Sequence, residues 1–178
     1  MTLRLVLMGV SGCGKSSVGE ALSVLLGVPY VDGDGLHPPQ NVARMSAGVA
    51  LTDADRWPWL DRVAAVLRDE APVIVGCSAL KRRYRDRIRA GVGEWAGERA
   101  GEWAGQVCFA HLDGPRDLIA ARMAARKDHY MPLSLLDSQF AALEPPVSEA
   151  DAFAVSIDQP TDAIAGEIAR YLPASMWR

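Results

Sequence analysis

Three groups of residues have the types and spacing to do chemistry. The first is "GVSGCGKS", Gly9 to Ser16, a full match to the pattern GxxxxGK[ST]. Glycines so spaced let successive backbone N–H groups turn inward around a phosphate. The Lys15 ammonium then reaches the terminal phosphates, and the Ser16 hydroxyl can ligate magnesium. Gly9, Val10, Ser11, Gly12, Cys13, Gly14, Lys15, Ser16 and Ser17 are therefore the candidate nucleotide-binding residues. The second group is "VDGDGLHPPQN", in which Asp32 and Asp34 stand two apart at the end of an apolar run, with His37 close behind. On an extended segment both carboxylates face the same side. Phosphoryl transfer asks for such a pair, one group for a magnesium–water shell and one to orient or deprotonate the acceptor hydroxyl. The third group is cationic: Lys81 and Arg85 in "LKRRYRDRIR", and Arg122 and Arg126 in "RMAARKDHYM", each pair four residues apart and so on one helical face. Arg44 follows His37 by about two helical turns and can line the same pocket.

What is missing narrows the class. Asn41 is the only asparagine, so the Asn-Lys-x-Asp motif with which a GTPase reads guanine is absent. The apolar run after Pro72 ends "VIVGCSALK", with Cys77 and Ser78 where a P-loop ATPase carries an acid for magnesium. The acid has to come from elsewhere. In a parallel sheet every strand C-terminus opens on one crevice, and "VDGDG" ends a strand as well.

The elements that must position these groups follow from periodicity. Leu3 to Met8 reads as a strand, Ser16 to Leu26 as a helix closed by Gly27, and Val28 to Val31 as a short second strand. "HPPQNVARMSAG" suits a helix with proline in its first turn and Gly48 at its end. "TDADRWPWLDRVAAVLRDE" opens another on Thr52 as cap, with Asp55 three residues on and Pro58 beginning or kinking it. "PVIVGCSA", "QVCFAHLDG" and "AFAVSIDQP" are continuous apolar runs, the pattern of strands buried on both faces of a parallel sheet, and helical text follows each. The alternation predicts a five-stranded, doubly wound α/β fold in one domain spanning 1–178.

Bulk properties agree. A formal charge of -3, with 49% hydrophobic and 23% charged residues, is ordinary soluble composition. No apolar run approaches the ~18 residues of a membrane span. We expect a cytoplasmic protein with small-molecule partners, no nucleic acid and no membrane. Cys13, Cys77 and Cys108 show no CxxC spacing and read as free thiols. "GEWAG" occurs twice, eight residues apart, within Gly93 to Gln106. Two copies are too few for a solenoid, so the segment, approximately 91–105, reads as a lengthened connection, with Trp95 and Trp103 available for packing or a subunit contact.

Together, "LMGVSGCGKS", "DGDGLHPPQN", "LTDADRWPWL", "CSALKRRYR" and "RMAARKDHYM" resemble the bacterial P-loop gluconokinases, relatives of shikimate kinase and the nucleoside monophosphate kinases. The resemblance runs from about Leu5 to Tyr171. It implies a P-loop kinase fold with a mobile lid near 126–146, and transfer of the terminal phosphoryl of ATP to the 6-hydroxyl of D-gluconate with magnesium. By the same resemblance Asp34 serves the substrate hydroxyl, leaving Asp32 and Ser16 for the metal. Lys81 and Arg85, with His37 and Arg44, then contact gluconate. Arg122 and Arg126 approach the nucleotide, Lys127 and His129 lie in the lid, and "SIDQP" passes beside adenine. The family often forms homodimers. GEWAG is longer than the connection this family leads one to expect, and Cys13 stands at a variable loop position.

The bland readings are an Asx-rich turn for the aspartate pair, a cap for His37, and a solvated basic face for Arg82, Arg83, Arg87 and Arg89. For Arg122 and Arg126 the bland reading is helix-end cations complementing the dipole. Competing functions are another small-molecule kinase of this architecture, of shikimate or nucleoside monophosphate type, and a nucleotide-binding regulatory protein.

Overall fold

The computed structural model describes residues 3–93, 107–125 and 133–177. Most of the GEWAG duplication, with Trp95 and Trp103, lies outside them, as do Arg126, Lys127 and His129.

Five strands form one parallel sheet: β1 (Arg4–Met8), β2 (Tyr30–Asp32), β3 (Val73–Gly76), β4 (Cys108–Asp113) and β5 (Ala152–Ser156), in the order β2-β3-β1-β4-β5. Seven helices are described: α1 (Lys15–Leu26), α2 (Pro39–Ser46), α3 (Asp53–Asp69), α4 (Arg82–Val92), α5 (Arg116–Ala124), α6 (Leu133–Ala142) and α7 (Thr161–Tyr171).

The two-residue period of the strands divides the core. Leu3, Leu5, Leu7, Ile74, Cys108 and Ala110 join Val18 and Leu22 of α1 and Ile164 and Ile168 of α7. Val6, Met8, Val73, Val75 and Phe109 face the other way, against Leu60, Val63 and Leu67 of α3 and Ile88 of α4. Because β1, β3 and most of β4 are buried on both sides, their sequences show no polar alternation.

Three local features refine the sequence reading. Strand β2 begins at Tyr30, later than its apolar run, and includes Asp32. Helix α3 starts on a complete Thr52–Asp55 capping box and carries Pro58 in its interior. Pro58 and Ala54 are both exposed, so the carbonyl left without its helical N–H partner lies on the solvent side. Helix α4 starts at Arg82, with Lys81 as an extended N-cap (φ -94, ψ 148). That last detail separates Lys81 from Arg85.

Candidate active site

The phosphate loop joins β1 to α1 and owes its path to glycine. Gly9, Gly12 and Gly14 all have positive φ. At Gly12 (φ +81) a Cβ would also stand 2.5 Å from Cγ of Met123 on α5, so the position is closed by both conformation and space. Lys15 Nζ donates to the carbonyls of Gly9 and Val10, each at 3.1 Å, which holds the ammonium over the loop. Ser16 Oγ donates to Asp32 Oδ2 at 3.0 Å, bringing the two expected metal-side residues together.

The carboxylate turn is built against the end of β3. Asp32 caps a short 3-10 turn, Gly33–Leu36, with Oδ1 accepting from the Asp34 N–H at 3.0 Å. A Cβ on Gly33 would lie 2.2 Å from the Gly76 carbonyl oxygen, so only glycine lets the turn sit on that strand end. Trp59 of α3 donates its indole N–H to the Gly33 carbonyl at 2.7 Å, fixing the turn from the other side. Both aspartates remain exposed.

His37 is buried beside this turn. Its ring stacks on Trp59 (centroids 4.1 Å apart, 15° between planes), and Nδ1 accepts from Asn41 Nδ2 at 3.3 Å, which assigns the ring proton to Nε2. Asn41 also donates to the Asp55 carbonyl at 2.7 Å. Burial first, and the nearby Arg56 charge second, push the imidazole down to about 4, so at neutral pH His37 is an uncharged donor.

The cations expected to hold an anionic acceptor are largely committed to protein partners. Arg44 lies 3.8 Å from Asp55. Lys81 donates to Asp53 at 3.1 Å, and the same carboxylate takes the Tyr84 hydroxyl and Arg83 Nη2. The Tyr84 hydrogen bond, followed by Lys81 and Arg83, holds Asp53 below the usual carboxylate range.

Arg85 requires a correction. Its side chain is 1% exposed, and all five N–H groups are used internally. Nε and Nη2 bind Glu149, Nη1 binds the Ala79 and Leu80 carbonyls, and Nη2 also binds the Glu144 carbonyl. With Lys81 outside the helix, the four-residue spacing no longer places the two side chains on one helical face. Arg85 turns inward and clamps the segment after α6 to the start of α4.

Arg122, in the last turn of α5, donates to the Ile157 carbonyl at 2.8 Å. The structure thus brings together the arginine and the "SIDQP" segment that sequence reading placed near the nucleotide. Arg126 lies outside the described residues.

No protein-family model matches the chain. The gluconokinase of Gluconobacter oxydans strain 621H is 40% identical over 174 residues, covering 96% of this chain and 91% of that protein. The chain belongs to the gluconokinase family. A gluconokinase crystal structure from Sinorhizobium meliloti 1021 is similar with a TM-score of 0.81 and 44% identity, over 96% of this chain and 93% of that one. A shikimate kinase from Acinetobacter baumannii in complex with shikimate covers 96% of this chain and 93% of its own at a TM-score of 0.62, but at 16% identity the likeness is one of fold alone.

Two residues that hold candidate-site groups in this gluconokinase-family chain escaped the sequence reading. Gln139 of α6 accepts from the Ser11 N–H at 2.7 Å and donates to Ser11 Oγ at 3.2 Å, tying α6 to the phosphate loop. Nothing in the sequence near Gln139 announces a partner 128 residues away. Asp53, which gathers Lys81, Arg83 and Tyr84, had a visible signal: an acid at the first position of α3 facing the charge of "LKRRYR". The capping box drew attention to Asp55 instead.

Proposed function

We propose that the protein transfers the terminal phosphoryl of ATP to the 6-hydroxyl of D-gluconate, giving 6-phospho-D-gluconate and ADP. The observation that carries this reading is the meeting of phosphate loop and carboxylate turn, through the Ser16–Asp32 hydrogen bond, in a chain of the gluconokinase family. The loop glycines and Lys15 hold the ATP phosphates. Asp34, exposed on the turn beside Asp32, orients the acceptor hydroxyl and receives its proton, and neutral His37 supplies a donor at the same wall. Arg122 steadies the nucleotide next to Ile157, and the segment around 126–146, with Arg126, closes over it to exclude water.

Magnesium suits the Ser16 hydroxyl and Asp32 carboxylate, a hard-oxygen pair. An ion held by these two groups would complete its shell with ATP phosphates and water. When bound, it would neutralise charge on the transferred group. No described helix is long and apolar enough to cross a membrane, and ATP with a sugar acid fits a cytoplasmic site of action.

The test is ADP release by the purified enzyme with ATP, magnesium and a panel of acceptors: D-gluconate, other aldonates, shikimate and nucleoside monophosphates. Gluconate-dependent ADP formation well above the others is the expected result. ADP formation that depends on shikimate or a nucleotide instead would replace the reading, and ATP binding with no acceptor phosphorylated would favour a regulatory protein.

A further inference from the structure

A sugar acid carries a carboxylate at the end remote from the hydroxyl that is phosphorylated, and a selective site must meet that charge with a fixed cation. The cations expected to do so are already engaged, Lys81 on Asp53, Arg85 on Glu149, and Arg44 beside Asp55, and Arg83 is also paired with Asp53. Arg62, nearby on α3, donates to the Leu36 carbonyl at 3.1 Å. Arg56 is different. It is half-buried, and it makes no hydrogen bond or ion pair among the described residues. Both flanking acids are taken: Asp53 by Tyr84, Lys81 and Arg83, and Asp55 by the Thr52 cap and Arg44.

Its position is that of an acceptor-side wall. Arg56 lies three residues before Trp59 and four before Leu60, both buried, so it shares their face of α3 one turn nearer the helix start. Trp59 reaches the turn that bears Asp32 and Asp34. The guanidinium lies 5.6 Å from the Tyr84 ring centroid, against an aromatic shelf that leaves its N–H fork available. Trp59, on the same face of α3, also stacks on His37, and the Arg56 charge helps to lower that imidazole, so Arg56 borders the same crevice from a third element.

We propose that Arg56 binds the carboxylate of the acceptor and thereby selects a sugar acid over a neutral polyol, an inference that rests on the gluconate-kinase reading above. A guanidinium matches a carboxylate with two parallel hydrogen bonds, which a lysine at the same place cannot reproduce. Asp34 and Arg56 then mark the two ends of the acceptor.

Steady-state kinetics of wild type, Arg56→Gln and Arg56→Lys with D-gluconate test this, together with ATP affinity and the urea unfolding midpoint of each protein. Arg56→Gln should lower kcat/KM for gluconate by about 10- to 100-fold, chiefly through KM, while ATP affinity and the unfolding midpoint stay at wild-type values. Arg56→Lys should recover part of the loss. A gluconate KM within twofold of wild type in the folded glutamine or lysine variant overturns the inference, as does a parallel loss of ATP affinity and stability. A wild-type enzyme that forms no ADP with gluconate overturns the proposed function and this inference together. An active wild type with an unaffected variant overturns the inference alone.

Discussion

The two walls of the crevice are made differently. The proposed nucleotide wall is mostly backbone: three positive-φ glycines, a lysine folded onto carbonyls, and one hydroxyl–carboxylate contact. The proposed acceptor wall is mostly side chains of α2, α3 and α4 holding one another, with Asp53 as an anionic centre and the buried Arg85–Glu149 pair bracing α4. A backbone cradle tolerates variation in most side chains around it. A side-chain network fails when one member is removed, because its neighbours are left charged and half-buried.

On the proposed assignment Asp34 stands where the walls meet, and its loss should have the largest effect. Asp34→Ala is expected to reduce turnover by about 10²- to 10⁴-fold with ATP affinity little changed, measured by ADP release and nucleotide titration. Near-normal turnover in the folded variant would mean that the joint between the walls lies elsewhere.

Glu149→Gln strikes the acceptor wall's support. Breaking a buried pair of this kind costs about 3–5 kcal/mol, so the urea midpoint at neutral pH should drop clearly. Burial would raise the Glu149 carboxyl, but hydrogen bonds and charge from Arg85 and Arg89 hold it at about 2 against an ordinary 4.5. Since the folded value is the lower one, this contribution is complete above about pH 4.5 and is lost as pH falls toward 2. The stability gap between wild type and variant should therefore close across that window. A constant gap would assign the destabilisation to altered packing.

Gln139→Ala should have the smallest effect. Removing its two contacts to Ser11 costs about 1 kcal/mol, or several-fold in ATP affinity, with the acceptor KM unchanged. A loss as large as that from altering Lys15 would show that the nucleotide wall also depends on side-chain struts.

The same contrast decides how far the sequence could be read. GxxxxGK[ST] predicts its own geometry because the chemistry is local, and the strands are evident because burial on both faces leaves continuous apolar runs. The aspartate turn was legible as surplus charge at a strand end. Arg85 was not, because its spacing from Lys81 suggested a shared helical face while the helix actually begins between them. Nor could Gln139 be found, or the guanidinium of Arg56 with no hydrogen bond or ion pair among the described residues. Each depends on which distant groups are already occupied, and that is settled only by packing α6 against the loop and α3 against α4.

The seat of Gly33 on the Gly76 carbonyl has one more consequence. Where other P-loop proteins end a strand with an acid, this chain has Cys77, wholly buried, with its Cβ 3.7 Å from where a Gly33 side chain would begin. Burial drives that thiol up to about 12, a measure of how poorly the spot tolerates an anion. An acid at position 77 would therefore sit against the turn bearing Asp32 and Asp34, in a spot that disfavours its charge. Moving the proposed metal-side acid from Asp32 to position 77 would thus place it where burial opposes ionisation, so in this chain the turn is the better home for that charge.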